Sequence, residues 1–224
     1  MANRVKIDHY ADVLCVWAYI AQVRTEELQT QFPEQLDWTW HYLPVFGDTP
    51  NKFASQWADK GGVAGYAQHM HEVAAGFDHI TIHADCWVKV QPASSAPAHL
   101  WLAAARLAAQ AGELSANVEP ELAWALRLAF FQHAANIARQ KVLLETTESL
   151  GIATQPIVAK LEDGSAYAAL CHDMLKARDA NIRVSPTYVF NDDRQRLTGN
   201  VGYRIIEANV RELLEQPQQQ QSWC

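Results

Sequence analysis

At 224 residues, 49% hydrophobic and 19% charged, the chain is long enough to bury a full core and too apolar to be disordered. A formal net charge of −7 without clustered Lys and Arg argues against nucleic acid as the main partner, and no run approaches the roughly 18 apolar residues of a membrane span. The opening residues lack the charged, apolar and small-residue order of a secretory leader, so a cytoplasmic location is expected.

Val5 to Tyr10 alternates as a strand, Val16 to Phe32 reads as an amphipathic helix, and Leu36 to Val45 reads as a second strand. Trp38, Trp40 and Tyr42 fall on one face of that strand and are expected in the core. One helix between two strands predicts a parallel pair joined by a right-handed crossover. From about Asn51 to Asn181 the chain is Ala-rich and helix-periodic. Leu100 to Ala111, Pro120 to Ile137 and Gln140 to Leu150 repeat apolar residues at three and four, and Trp101, Trp124, Phe130 and Phe131 are expected to pack these helices. Strand character returns at Thr187 to Phe190, where the turn Asn191-Asp192-Asp193 predicts a hairpin to a short strand near Arg196 to Gly199. A last helix spans Tyr203 to Leu214, and the Gln-rich residues 216–224 are expected to form a flexible tail.

Cys15 stands at the first strand-to-helix junction, where unpaired N–H groups and partial positive charge favour thiolate over thiol. A second thiol one turn on would make a redox pair, but that position is Ala18. Cys86, Cys171 and Cys224 show no CxxC or metal-type spacing and are expected as free thiols. Cys86 or Cys171 would resolve a disulfide on Cys15 only if the fold brought its Cα within about 6–7 Å. The nine histidines invite a metal reading: His69 and His71 point to different helix faces, and His79 with His83 has the i, i+4 spacing without the Glu of HExxH. No metal is expected. His9, close before Cys15, would help hold a thiolate if its strand turned it inward.

Asp12-Val13-Leu14-Cys15-Val16-Trp17-Ala18-Tyr19-Ile20 resembles the D-x-x-C-P-W-C-Y-I segment of the DsbA-like branch of the thioredoxin superfamily, with Val16 for proline and Ala18 for the second cysteine. Pro92 to His99 resembles the lead into that branch's large insertion helix, and Arg183 to Asn191 resembles the segment carrying its cis-proline. The resemblance implies an α/β, thioredoxin-like fold, β-α-β … β-β-α, from residues 1–50 and 182–215, interrupted by a large all-helical insertion over 51–181. It implies a cis Pro186 facing Cys15 and a backbone at Ser185 that docks an extended peptide or the cysteinyl part of glutathione. Val16, Trp17, Ala18, Ser185, Pro186, Thr187 and His99 are the substrate-contact candidates, with Cys15 as the nucleophile. Trp17 would wall the thiol, Tyr19 would lend a hydroxyl or pack, and Phe46 to Pro50 would form a rim of the cleft.

The Cys-Val-Trp-Ala segment also lies near two glutathione-linked relatives, 2-hydroxychromene-2-carboxylate isomerases and kappa-class glutathione transferases, which keep a serine at the cysteine's place. Three functions follow as expectations. The first is a monothiol disulfide oxidoreductase that uses glutathione as external resolving thiol. The second is a glutathione-dependent isomerase or transferase of a small aromatic or electrophilic compound, and the third is a redox-inactive binding protein. Glutathione is the expected cosubstrate, no tightly bound cofactor is expected, and a homodimer remains open.

Overall fold

The computed structural model describes residues 4–215, so the Gln-rich tail and Cys224 lie outside the described residues. Strand β1 (Val5–Ala11) leads through helix α1 (Val16–Gln31) to β2 (Leu36–Tyr42), and β1 and β2 pair in parallel. Seven α-helices and a short 3-10 turn (Ala58–Lys60) fill the stretch before the next strand: α2 (Thr49–Gln56), α3 (Gly62–Ala74), α4 (Ala96–Gln110), α5 (Val118–Phe131), α6 (Gln140–Ser149), α7 (Gln155–Glu162) and α8 (Ser165–Asp179). β3 (Thr187–Phe190) and β4 (Gln195–Thr198) form the hairpin, and α9 (Tyr203–Glu215) closes the order. The hairpin turn holds Asn191, Asp192 and Asp193 at φ 46°, 58° and 73°, the left-handed region that Asn and Asp tolerate best among non-glycine residues.

The sheet runs β2-β1-β3-β4, with β3 antiparallel to both neighbours. This is the α/β, thioredoxin-like arrangement that the family resemblance implies. One face is covered by α1 and α9, whose Leu28, Ile206 and Val210 pack with Val5, Ile7 and Phe190. The largest apolar cluster joins Val13, Leu14, Val16 and Ile20, around the first junction, to Trp101, Leu122, Leu126 and Phe130 of the inserted helices. The sheet order leaves β2 at an edge, and for that reason Trp38 and Trp40 are only half-buried, against the expectation of core; Tyr42 is buried.

A polar network fastens α8 to the other face and ties α4 and α5 to it. His41 on β2 is buried, with Nδ1 2.7 Å from Asp173 of α8 and Nε2 2.7 Å from Asp8 of β1. Lys176 donates to Asp8 at 2.8 Å, and Arg106 of α4 donates to Asp173 at 2.8 Å and reaches Glu119 of α5 at 3.4 Å. Burial pushes the His41 imidazole down, but its hydrogen bonds to Asp173 and Asp8 outweigh this and hold it above its ordinary value of 6.5. Burial raises Asp8, and the bonds from His41 and Lys176 reverse that, leaving it below its ordinary 3.8.

The signs set a pH window. A raised His41 contributes fully below 6.5 and loses its contribution as pH climbs through the folded-state value; a lowered Asp8 contributes above 3.8 and loses it as pH falls. His41→Gln is therefore expected to destabilise most between these limits, by about 3 kcal/mol, the lower end for breaking a buried ion pair. Urea unfolding of both chains across a pH series checks this; a difference that grows above pH 7 would refute it.

Candidate active site

Cys15 is the residue immediately before α1, at φ −81° and ψ 117°, with no side-chain cap on the helix. Its carbonyl accepts the first helical bond, from the Tyr19 N–H at 3.0 Å, and its own N–H turns back to Asp12 at 3.1 Å. The sulfur donates to the Ser185 carbonyl at 3.3 Å, across 170 residues of sequence, and the Ser185–Pro186 peptide bond is cis. The two segments picked out at opposite ends of the chain meet at the thiol.

Asp12 builds the loop that carries it. Fully buried, Asp12 accepts the Leu14 N–H on Oδ1 at 2.8 Å and, on Oδ2, the Phe46 N–H and the Ser95 hydroxyl, both at 2.8 Å. Its own N–H donates to the Ser185 hydroxyl at 2.9 Å. The Phe46 carbonyl accepts from Ser95 at 2.9 Å, and Thr49 bonds Ala93 through its N–H and Pro92 through its hydroxyl. The predicted rim is thus stitched to the lead into α4.

Several candidates occupy other roles. His99 is only 1% exposed and lies beneath the loop: Nε2 accepts the Val13 N–H at 3.2 Å and sits 3.5 Å from Asp12, while the ring stacks on Tyr42. It positions the loop and does not face a ligand, because α4 begins before it and turns it inward. Thr187 is buried in β3 with its hydroxyl on the Val184 carbonyl at 2.8 Å. Val16 and Ala18 face the core; Trp17 is half-buried, edge-on to Phe77. Tyr19 packs flat on Phe131 and exchanges hydrogen bonds with Gln132 and the Thr81 carbonyl.

His9 does turn inward, but it packs among Trp38, Trp40 and Tyr188, and burial pushes its imidazole down to about 3. A neutral ring there holds no thiolate. His79 and His83 lie in the loop between α3 and α4, where helical spacing does not apply; His79 contacts the Ile20 carbonyl and His83 accepts the Asp85 N–H. Cys15, Cys86 and Cys171 are free, with Cys86 fully buried and donating to the Phe130 and Phe131 carbonyls. Burial pushes the Cys86 thiol up to about 12.

The electrostatics of Cys15 depart from the sequence expectation. With 5% of the residue exposed, burial raises the thiol above its ordinary 9.0; the Ser185 hydroxyl and the N–H groups of Ala18 and Trp17 pull it back, and the Asp12 charge adds to the rise. Desolvation beats the helix N-terminus. A cation missed from sequence stands nearby: Lys52 of α2 has its ammonium 4.9 Å above the Phe46 ring, lowered by burial and pulled back by Asp12 and Cys15. Its helix flanks a cavity of about 500 Å³ lined by Thr49, Pro50, Phe53, Gly62, Gln91 and Ala93.

The DSBA-like thioredoxin domain matches residues 6–210. The chain belongs to that family. No curated protein matches the sequence. Among solved structures, this DSBA-like chain is similar to a Nitrosomonas europaea protein provisionally named a protein disulfide isomerase, at 16% identity and TM-score 0.75 over 96% of this chain and 99% of that one. It is similar to the cytosolic disulfide reductase DsbM from Pseudomonas aeruginosa with GSH, at 17% identity and TM-score 0.63 over 92% and 99%. A 2-hydroxychromene-2-carboxylate isomerase gives 15% identity and TM-score 0.58 over 95% and 97%. At such identities these structures show the shared fold.

Two outcomes test this geometry. Asp12→Ala strands three donors in the interior and is expected to cost about 3–5 kcal/mol, read as a lower urea midpoint at unchanged slope. Iodoacetamide labelling of Cys15 is expected to accelerate with pH up to and beyond 9.0, without the neutral-pH plateau of an activated thiolate. A plateau near pH 7 would overturn the dominance of burial.

Proposed function

We propose that this DSBA-like chain exchanges disulfides as a monothiol through Cys15, with glutathione as the external resolving thiol. The observation that carries the reading is the 3.3 Å contact of the Cys15 sulfur with Ser185, beside cis Pro186, while Ala18 fills the place of a second thiol. The Cys15 thiolate attacks one sulfur of a glutathionylated substrate, forms a disulfide with glutathione, and releases the substrate thiolate, which takes up a proton. A second glutathione thiolate then attacks the glutathione sulfur on Cys15, yielding oxidised glutathione and restoring the Cys15 thiolate. The cycle consumes one reduced glutathione, whose sulfur is oxidised as the substrate sulfur is reduced and whose proton balances the one the substrate thiolate takes up, and no internal disulfide forms.

The Trp17 and Ala18 N–H groups stabilise the sulfur's developing charge, and Ser185 and Pro186 position the incoming disulfide. Lys52 supplies positive charge to a glutathione carboxylate. DsbM, crystallised with GSH, lends the glutathione step support by analogy. Cytoplasmic location belongs to this reading, because that compartment supplies reduced glutathione.

The raised Cys15 thiol favours a second reading: a protonated sulfur is suited to donate a hydrogen bond to a bound glutathione thiolate, as an isomerase or transferase requires. Intact mass after incubation with oxidised glutathione separates the two. One glutathionyl group on Cys15, removed by reduced glutathione and absent in Cys15→Ser, is expected, and Ala18→Cys should suppress its accumulation by forming an internal disulfide. Modification of exposed Cys171 alone would sink the exchanger, and glutathione binding that survives Cys15→Ser would favour the isomerase. Lys52→Met is expected to raise the half-saturating glutathione concentration about tenfold, the equivalent of one charge-assisted contact.

A further inference from the structure

We infer that the groove between α1, β2 and α5 binds a small aromatic carboxylate, with Arg127 holding the carboxylate and the Trp38–Trp40 pair carrying the ring. This inference does not rest on the thiol chemistry proposed for Cys15. Arg127 on α5 is only 5% exposed, and its Nε has no hydrogen-bond partner. Among the described residues no carboxylate pairs with it. Burial lowers its basicity; Tyr42 first, then Cys15 and Asp12, oppose that, and none of them makes an ion pair with it. A buried guanidinium without an anion is costly, and anion binding would remove that cost.

Arg127 lines a cavity of about 20 Å³ together with Gln22, Trp40 and Tyr42, large enough for one water-sized group or a carboxylate oxygen. Gln29, Trp40 and Pro120 are shared with an adjoining groove of about 430 Å³, a volume suited to a one-ring ligand. Trp38 and Trp40 lie along that groove with ring centroids 5.1 Å apart and planes 6° from parallel, both half-buried. The Trp38 Nε1 is a second buried donor without a partner. The acid in the groove, Glu119, is already paired with Arg106 at 3.4 Å and hydrogen-bonded to Tyr42, so the positive charge of Arg127 remains in excess. An aromatic platform beside an uncompensated buried cation recognises a planar ring bearing a carboxylate.

Calorimetric titration of the full chain with benzoate, benzamide and chloride, at fixed ionic strength, tests this. Benzoate is expected to bind saturably and at least about tenfold more tightly than benzamide, one charged contact's worth. Arg127→Met should abolish the preference, and Ala116→Trp, an exposed groove position, should block binding without touching the core. Cys15→Ser should leave benzoate affinity within about twofold, so loss of exchange and loss of this site read separately. Equal affinity for benzoate and benzamide, chloride binding without a benzoate preference, or no saturable binding would each overturn the proposal. If Arg127→Met does not fold, unchanged benzoate binding in Ala116→Trp overturns it.

Discussion

The geometry around the thiol depends on one buried carboxylate. Asp12 holds the Cys15 loop through Leu14, the exit of β2 through Phe46 and the entry of α4 through Ser95. These segments belong to different parts of the chain and share no local reason to meet. A carboxylate suits the task because it accepts several bonds and donates none, so N–H and O–H groups from three directions are satisfied at one point. Through its N–H, Asp12 also fixes the Ser185 hydroxyl, so the residue that shapes the loop positions the cis-proline segment against Cys15.

A second polar centre does on the opposite face of the sheet what Asp12 does at the loop. His41 bridges Asp8 and Asp173, and Arg106 carries the network on to Glu119. Glu119 is hydrogen-bonded to Tyr42, Tyr42 stacks on His99, and His99 accepts from Val13. A contiguous chain of contacts therefore joins the docking of α4, α5 and α8 to the loop of Cys15. These are interactions whose strength grows in a low dielectric, and each member has a partner.

The legible parts of the chain were those with local causes. The alternation of Val5 to Tyr10, the helix after Cys15, the Asn-Asp-Asp hairpin and Thr187 to Phe190 each carry their own pattern, and the structure places them accordingly. That Cys15 and Ser185 meet was legible only through family resemblance, since 170 residues separate them. Lys52 and Arg127 sit in helices where nothing in the spacing distinguishes an inward cation from a solvated one. Asp12 carried a faint signal, an acid inside an apolar run just before a loop. Trp38 and Trp40 misled because alternation reports a strand face and not whether the strand lies at the sheet's edge.

Cys15 shows how magnitudes decide between two sound arguments. A helix N-terminus favours an anion by about 0.3–1 kcal/mol, rising to about 2 in buried geometry, whereas full burial can shift an ionisable group by about 3–5 pKa units. One unit is worth about 1.4 kcal/mol, so the desolvation of a sulfur this buried exceeds what two N–H groups and one hydroxyl return. His9 follows the same rule and is pushed down to about 3, whereas His41, also buried, is held above its ordinary value because two carboxylates face it. What separates these groups is the charge placed beside each, not their depth. A reactive sulfur at Cys15 therefore needs positive charge delivered to it, and Lys52 and Arg127 are buried or half-buried cations that Asp12 and Cys15 draw upward against that burial.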